Sequence, residues 1–429
     1  MFNMKDVPLV PITELLESIV DNRGKSCPTQ ETGFPLIATN CIKHSSIYPT
    51  FENIRYVSDE VLNTWFRAEL KPNDILFVNK GTPGRVCLVP DPITFCAAQD
   101  MIGLRADANK VYYKYLFAVL RSSYIQEKIA NFHVGIAIPH FKKSDMHNLL
   151  IPLPEMELQI RIGDLYCQLS EKIENNNVIN TELESMVKTI YDYWFLQFEF
   201  PDEEGNLYKS SGRKMVWNEE VKRNIPEGWE IRQLQDVLST IIDHRGLTPK
   251  KLGGDWVEKG IIALSAKIVK NNKLLNLNEA NQVSEEMYKR WMPEELESGD
   301  ILMTSEAPLG EFYYLVEDTK YCLSQRLFAL RANKEICDSS YLFYELSKGN
   351  GYSQIMRSQS GSTVFGIRQD ELRKIKILVP SLDIQNKFGE QVMPLIKKIR
   401  NNDEENRELA SLRDFLLPLL MNGQVGFKE

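Results

Sequence analysis

The chain has 429 residues, of which 43% are hydrophobic and 26% charged, and its formal net charge at pH 7 is −8. This composition is typical of a folded globular protein and excludes a disordered or fibrous one, and the length suits two domains with connecting elements. No stretch approaches the roughly 20 uninterrupted apolar residues of a membrane span, and the N-terminus lacks the basic-then-apolar order of a signal peptide. We therefore expect a cytoplasmic protein that does not associate with a membrane.

The distribution of charge leaves nucleic-acid binding open, and the cysteines argue against a metal site. Most of the acidic excess lies in residues 156–228, so the flanking regions are close to neutral. Affinity for DNA follows the charges at the contact surface, and a negative total is therefore compatible with DNA binding. The seven cysteines are scattered and never form a C-x-x-C pair, which predicts reduced thiols.

Residues 1–155 are the first predicted domain. Short runs rich in β-branched and aromatic residues at 74–78 and 86–89 predict strands, and residues 112–130 predict a helix. The fold class expected from this mixture is α/β.

Residues 156–198 predict a first spacer helix, because apolar residues recur at intervals of three and four from Leu158 to Trp194. At about 1.5 Å per residue, such a helix would span roughly 55–60 Å. Asn176 and Asn180 interrupt the apolar stripe midway. The pair is either an alignment device where two long helices meet, with a role in helix register and partner docking, or a loosened part of the stripe that faces water.

The second half of the chain repeats this order. Residues 199–228, rich in Pro, Gly and charge, predict a linker, and residues 229–381 predict a second domain with strands at 300–304 and 312–316 and a helix at 339–356. Residues 382–424 predict a second spacer helix, whose stripe is interrupted by Asn402 and Asn406.

A constant shift that places Val57 on Val283 aligns the two halves without gaps over residues 57–107, with 15 identities in 51 positions. We call this alignment the repeat alignment. The chain is thus an internal duplication, and the expected architecture is two mixed α/β domains related by a pseudo-two-fold axis and joined by two long antiparallel coiled-coil-like helices. We interpret the identical residues, Trp65 and Trp291 among them, as duplicated core. The loops between them differ, as residues 79–85 (NKGTPGR) and 305–311 (SEAPLGE) show.

A duplicated but diverged pair of domains suits double-stranded DNA. Dimeric DNA-binding proteins place one recognition element on each half-site about a helical turn apart, and a single chain could do the same on an asymmetric, split site. The arrangement resembles the specificity (S) subunits of type I restriction-modification systems over essentially the whole chain. Four stretches of this sequence carry the resemblance: Ile225-Pro226-Glu227-Gly228-Trp229, the stretch from Thr304 to Gly310, Gly361-Ser362-Thr363-Val364 with Ile367 and Arg368, and Ile377-Leu378-Val379-Pro380.

The resemblance implies a non-catalytic subunit with defined partners. Each domain would be a target recognition domain for one half of a bipartite DNA site, and the helices would set the unread spacer and dock two modification (methyltransferase) subunits. Restriction (helicase-nuclease) subunits would complete the complex. S-adenosylmethionine, ATP and Mg would belong to these partners, and the sequence itself contains no phosphate-binding loop, dinucleotide fingerprint or methyltransferase motif.

Basic and amide side chains on loops are the candidates for DNA contacts, because Arg and Lys pair with guanine, Asn and Gln pair with adenine, and other basic groups hold phosphates. For each one, a solvated surface charge is the alternative. The candidates are Arg23, Lys25, Lys43, Lys80, Arg85, His133, Lys142 and Lys143 in the first domain, and Arg245, Lys267, Lys270, Lys273, Arg357, Gln359 and Arg368 in the second. Arg23 and Arg245 precede equivalent glycines, which fits phosphate positioning or a structural salt bridge better than base recognition.

Two rival functions remain at this point. A self-contained methyltransferase or nuclease would act on DNA without partners. A solitary adaptor would bind and regulate modification subunits without any DNA specificity of its own.

Overall fold

The computed structural model describes residues 7–22, 26–97, 100–132, 139–361 and 365–427. The chain divides into two compact units, Met1–Val178 with Glu404–Glu429, and Ile179–Asp403. Both boundaries fall inside long helices, so each unit consists of one globular domain and a segment of each long helix.

The first unit contains two sheets and a strand pair. Its four-stranded antiparallel sheet has the spatial order Leu16–Val20, Met101–Ala106, Ile75–Val78 and Val86–Leu88. A three-stranded sheet has the order Arg55–Val57, Phe34–Ile37 and Cys96–Ala97, with the last pair parallel. Leu9–Pro11 pairs with Leu150–Pro152. The helices are Asp59–Thr64, Tyr113–Arg121 and Ser123–Asn131, with 3-10 turns at Ile12–Leu15, Thr39–Cys41 and Lys143–Asn148.

The second unit repeats this plan. The four-stranded sheet has the order Leu238–Asp243, Leu327–Ala332, Ile301–Thr304 and Phe312–Tyr314, and the three-stranded sheet has the order Gln282–Val283, Ile261–Leu264 and Cys322–Leu323. Glu230–Gln233 pairs with Lys376–Val379, and a hairpin joins Val269–Lys270 to Lys273–Leu274. The helices are Leu234–Val237, Glu285–Trp291, Ser339–Ser347, Asn350–Arg357 and Gln369–Arg373, with 3-10 turns at Pro249–Leu252 and Leu277–Glu279.

The strand register shows that the duplication is structural as well as sequential. Ile75 lies opposite Leu104, and their equivalents in the repeat alignment, Ile301 and Leu330, also lie opposite each other. The predicted α/β class and the strands expected at 74–78, 86–89, 300–304 and 312–316 are therefore confirmed.

Both faces of the four-stranded sheet are buried, which explains its continuous apolar strands. In the first unit, Ile75 and Phe77 pack against the helical layer, whereas Leu76 and Val78 pack against the side of the three-stranded sheet. The second unit repeats this layering through Ile301 and Leu302.

A buried ion pair anchors each sheet at the same place. Arg105 donates to both carboxylate oxygens of Asp74 at 2.9 Å, and Arg331 donates to both oxygens of Asp300 at 2.8 Å. The carboxylate side chains are 1% exposed. The hydrogen bonds that these aspartates accept raise the pKa of Arg105 and of Arg331, so both arginines remain charged.

The two long helices are Met156–Tyr191, of 36 residues, and Leu382–Met421, of 40 residues. Each long helix has a buried glutamine in its first turn. Gln159 accepts from the Tyr112 amide at 2.9 Å, and Gln385 accepts from the equivalent Asp338 amide at 3.0 Å. A π-helical turn, Asp192–Leu196, follows the first long helix and packs aromatic side chains into the core of the second unit.

The interrupting asparagines are hydrogen-bonded between the long helices within each unit. In the first unit Asn176 donates to Asn406 at 2.9 Å, and in the second unit Asn402 donates to Asn180 at 2.8 Å. In the first unit, Arg413 also donates to the Ser170 hydroxyl at 3.2 Å. Residue numbers in that unit thus rise along one helix as they fall along the other, so its paired helix segments run in opposite directions. Asn176, Asn180 and Asn402 are at most 2% exposed, which excludes the water-facing alternative for these three.

Two helices expected from the sequence are each divided in the structure. Residues 112–130 form two helices, because Ser122 adopts an extended conformation and its side chain caps the second helix by accepting from the Ile125 amide. Residues 339–356 are divided in the same way at Gly349. The segment 199–228, predicted as a linker, contains the hairpin Met215–Asn218 with Arg223–Pro226. Of the two tryptophans interpreted as duplicated core, Trp291 is 1% exposed, whereas Trp65 is only half-buried.

Candidate nucleic-acid interface

Three candidate DNA-contacting residues, Arg23, Lys25 and His133, lie outside the described residues. The other candidates lie on or beside loops of the two units.

In each unit, two loops that are distant in sequence are joined by the same backbone hydrogen bond. The Phe141 amide donates to the Asn79 carbonyl at 2.8 Å, and the Ile367 amide donates to the Ser305 carbonyl at 3.0 Å. These bonds are equivalent in the repeat alignment. We call the joined segments the first loop pair (residues 79–85 with 139–143) and the second loop pair (residues 305–311 with 365–368).

An ion pair at each loop pair has opposite polarity in the two units. Lys80 Nζ lies 4.0 Å from Asp100 Oδ1, whereas Glu306 Oε1 lies 3.0 Å from Arg326 Nε at the equivalent positions. The four side chains are 40–51% exposed. Exposed pairs of this kind contribute about 1 kcal/mol or less to stability. The inversion therefore has little bearing on stability, and it gives the two loop pairs different charge patterns for a ligand.

The first loop pair carries the larger basic surface. Lys142 and Lys143 are exposed and Arg85 is half-buried. In the described part of the chain, the side chains of these three residues make neither hydrogen bonds nor ion pairs. Together with Lys80 they place four cations around one pair of loops, which suits a polyanion.

The second loop pair contains Arg368, and Arg357 and Gln359 lie shortly before Ser360, which pairs with Gly366 of this loop pair. All three side chains are exposed, and none forms a hydrogen bond or ion pair with another described residue. Arg368 is the equivalent of Lys142 in the first unit, so a basic residue occupies this position in both loop pairs.

Arg245 is engaged within its own unit. Its guanidinium donates to both oxygens of Asp243 at 2.8 Å and lies 4.1 Å from the centroid of the Phe328 ring. Of the two alternatives for this position, the geometry matches a structural salt bridge.

The remaining candidates lie on one equivalent loop in each unit, residues 42–48 and 267–275. Lys43 pairs with Glu52, and Lys273 pairs with Asp403 at 3.0 Å. Lys267 and Lys270 are exposed. These two lysines are therefore the ones on the loop that remain open to a ligand.

A long-helix side chain fastens this loop in each unit, and we call these contacts the clamps. In the first unit, Glu174 accepts from the Ile47 amide at 3.3 Å. In the second unit, Arg400 donates to the Asn272 carbonyl at 2.6 Å and to the Asn272 side-chain oxygen at 2.5 Å. Glu174 and Arg400 are equivalent positions with opposite charge. Each clamp residue lies two positions before a buried asparagine of its own unit, Asn176 for Glu174 and Asn402 for Arg400.

The candidates from the sequence omitted Asp100, Arg326, Glu174 and Arg400. Asp100 and Glu174 were excluded because only basic and amide side chains were considered, and Arg400 because it lies on a helix. The sequence did contain a signal for these residues, because the charge changes sign at aligned positions of the repeat alignment. Lys80 and Asp100 align with Glu306 and Arg326, and Glu174 aligns with Arg400.

Within the described residues, no cluster of three or more His, Cys, Asp or Glu side chains is placed to hold a metal ion. No described helix is long and apolar enough to cross a membrane. The seven cysteines are free, and six of them are buried.

Known proteins with similar sequences are type I specificity subunits. Residues 4–185 and 226–411 match the family described as type I restriction modification DNA specificity domain. The MjaIX specificity subunit of Methanocaldococcus jannaschii is 25% identical over 366 residues, which cover 83% of this chain and 78% of that protein. The HindI specificity subunit of Haemophilus influenzae is 22% identical over 414 residues, which cover 84% and 88%.

The fold also has a solved counterpart. The crystal structure of the type I restriction-modification system S subunit from M. genitalium superposes with a TM-score of 0.58 at 18% identity, covering 98% of this chain and 99% of that one. The family match falls once on each half of the duplication and covers most of the chain. The chain therefore belongs to the family of type I restriction-modification specificity subunits.

Proposed function

We propose that each unit recognises one half of a bipartite, asymmetric site in double-stranded DNA. The long helices set the length of the unread spacer. The observation that carries this proposal is the ion pair of inverted sign at equivalent loop pairs. A duplicated frame with different charges at its loops is what the recognition of two different half-sites requires.

The long helices also supply a docking surface for two modification (methyltransferase) subunits. Met186, Leu412 and Phe415 are exposed on these helices by 51%, 46% and 65%, and exposed apolar residues on helices are typical of protein interfaces. Methyl transfer from S-adenosylmethionine and ATP- and Mg-dependent cleavage by restriction subunits take place in these partners, in the cytoplasm, and this chain is non-catalytic.

A binding selection tests the DNA-binding proposal. The chain, purified with its modification partner, is incubated with randomised duplexes at two salt concentrations, and bound sequences are compared with the input. We expect one bipartite sequence to be enriched. No preference over random DNA would overturn the proposal, and partner binding without any DNA preference would favour a solitary adaptor.

A paired substitution tests the role of the inverted ion pair. Lys80→Glu with Asp100→Arg gives the first unit the polarity of the second. We expect the preference to change in one half-site and to persist in the other. Lys110→Glu is the matched control, because Lys110 is 53% exposed and also pairs with an aspartate. An equal effect of the control would contradict the assignment.

Docking is tested by co-purification with the modification subunit. Phe415→Asp is expected to reduce recovery of the partner at least tenfold, since a central apolar contact typically contributes about 2 kcal/mol or more. Phe51→Asp, which changes an exposed aromatic residue that is not part of either long helix, should leave recovery unchanged. Equal recovery with both variants would contradict docking at Phe415.

A further inference from the structure

A pocket of about 280 Å³ in the first unit lies beside the junction of the helices Tyr113–Arg121 and Ser123–Asn131. Its walls include His44, Arg121, Tyr166 and Arg413. None of these residues belongs to the first loop pair or to the exposed apolar residues of the long helices. The pocket is thus separate from the residues to which base recognition and docking are assigned.

Two guanidinium groups lie against one aromatic ring in this pocket. Arg121 lies 5.8 Å and Arg413 lies 5.3 Å from the centroid of Tyr166. Arg413 donates to Asp414 at 2.8 Å. Arg121 donates to the Ser46 carbonyl at 3.1 Å, and among the described residues no carboxylate forms an ion pair with it.

The pocket is electropositive. Burial lowers the pKa of Arg121, as does the charge of Arg413, whereas Tyr166 and Asp414 oppose this shift. Burial also lowers the pKa of His44, as do the positive charges of Arg121, Arg85 and Arg413. The Asp414 side chain is 63% exposed, so its charge is screened by water. A partly buried cation without an ion-pair partner, as Arg121 is among the described residues, is destabilising.

The fold does not require the two arginines. The repeat alignment places Ser347 and Val187 at the positions of Arg121 and Arg413. In the second unit, a cleft of about 780 Å³ at the corresponding place is lined by Ser347 and by residues next to Val187. The arginine pair is therefore a property of the first-unit pocket and not of the duplicated frame.

We propose that the first-unit pocket binds a phosphate-type oxyanion between the guanidinium groups of Arg121 and Arg413. The planar fork of arginine N–H groups matches the oxygens of phosphate, and the pocket offers two such groups. The anion has two possible sources, a backbone phosphate of DNA and free phosphate. Arg85 of the first loop pair contributes to the same electrostatic field, which favours the DNA backbone.

Thermal unfolding of the full chain tests the site with inorganic phosphate as the probe, against potassium chloride at matched ionic strength. Phosphate at about ten times its dissociation constant should raise the melting temperature by about 3 °C. Arg121→Gln and Arg413→Gln should each remove most of this rise. Lys188→Gln, which removes a cation from the second-unit cleft, should retain it. This titration needs no DNA, so its result is independent of the proposed function.

Two further measurements complete the test. If the Arg121→Gln variant has a lowered melting temperature in chloride alone, Arg121→Lys replaces it, because lysine keeps the positive charge without the planar guanidinium group. Line broadening in phosphorus NMR at low temperature then reports phosphate binding directly. DNA binding at several salt concentrations identifies the source, because loss of one backbone contact in Arg413→Gln lowers the salt slope by about one. A phosphate-dependent rise in melting temperature together with an unchanged salt slope of DNA binding indicates that the ligand is free phosphate. An equal phosphate-dependent rise in all variants, or no rise together with an unchanged slope, overturns the proposal.

Discussion

Asp74 and Asp300 show how the same residue can have unequal importance in two copies of one frame. Both aspartates are buried and accept from an arginine. Arg331 also lies 3.2 Å from Glu294 and 3.2 Å from Glu297. In the described residues, Arg105 forms an ion pair with Asp74 alone. Neutralising the aspartate therefore leaves Arg105 more isolated than Arg331.

We predict that Asp74→Asn destabilises the first unit by about 3 kcal/mol, because removing one partner of a buried pair leaves an uncompensated charge. Asp300→Asn should destabilise the second unit by less. Native-state hydrogen exchange of the strands Met101–Ala106 and Leu327–Ala332 measures both effects. Equal losses would contradict the role of Glu294 and Glu297.

Glu345 is a buried carboxyl group that the duplication does not explain, since Val119 occupies the equivalent position. It is 3% exposed and accepts hydrogen bonds from the Tyr191 hydroxyl and from the Gly351 amide, the latter at 3.1 Å. Burial raises the pKa of Glu345 to about 7, against the opposing effects of these hydrogen bonds and of Arg223. The folded state therefore holds the proton more tightly than the unfolded chain, in which the pKa is near 4.5.

This shift predicts a pH dependence of stability. Below pH 4.5 the carboxyl is protonated in both states and contributes no penalty. As the pH rises to about 7 the unfolded state ionises first, so the stability of the second unit should fall by about 3 kcal/mol. The Glu345→Gln variant should not show this fall in stability, because glutamine does not ionise. Urea unfolding followed by tryptophan fluorescence suits the measurement, because Trp194, Trp217, Trp229, Trp256 and Trp291 all lie in the second unit. Parallel pH curves for the two proteins would contradict the assignment.

At the scale of elements, the clamps connect the loops at residues 42–48 and 267–275 to the long helices. The second clamp is the stronger, because Arg400 makes two short charge-assisted bonds and its ring contact with Tyr313 is 4.2 Å. Glu174 makes a single bond of 3.3 Å. Glu174 lies two residues before Asn176, and Arg400 lies two residues before Asn402. The position of each loop therefore depends on the register of the long helices within its own unit.

We predict that Arg400→Glu increases hydrogen exchange of residues 267–275 about tenfold or more, since a charge-assisted hydrogen bond contributes about 1.5–3 kcal/mol. The new carboxylate would also face Asp403, whose Oδ2 lies 3.7 Å from Arg400 Nη1. Lys397→Glu, an equal change of charge at an exposed position of the same helix, is the control. Exchange that rises equally in both variants would count against the clamp.

The opposite polarity of the clamps adds a second test. Glu174→Gln keeps an acceptor for the Ile47 amide and should leave exchange of residues 42–48 unchanged, whereas Glu174→Arg should increase it. Unchanged exchange in Glu174→Arg would show that the first loop is held by its other contacts, such as the bond from Arg121 to the Ser46 carbonyl.

At the scale of the whole molecule, each unit has its own hydrophobic cores and its own anchoring ion pair. We therefore predict that Asp74→Asn increases exchange in the sheets of the first unit and leaves the second unit unchanged, and that Asp300→Asn does the reverse. Contacting residues couple energetically, whereas distant ones act independently. Exchange that increases in both units of either variant would show that the long helices transmit the loss.

The duplication, the α/β class, the strands around Ile75 and Ile301 and both long helices were all predictable from the sequence. These features depend on local periodicity and on a repeat that any alignment of the chain with itself reveals. The breaks at Ser122 and Gly349 escaped prediction, because a capping serine or an extended glycine is compatible with a helical pattern until its backbone conformation is known.

Which loops meet, and which charged side chains stay without a partner, depends on long-range contacts of the folded chain. The bond from Phe141 to Asn79 joins two segments that are far apart in the chain, and no local pattern specifies such a partner. For the same reason, the structure separated Arg245, held by Asp243, from Lys142 and Arg368, which are exposed at equivalent places on the two loop pairs. Side-chain type is local information, whereas an open charge depends on every neighbour that the fold brings near.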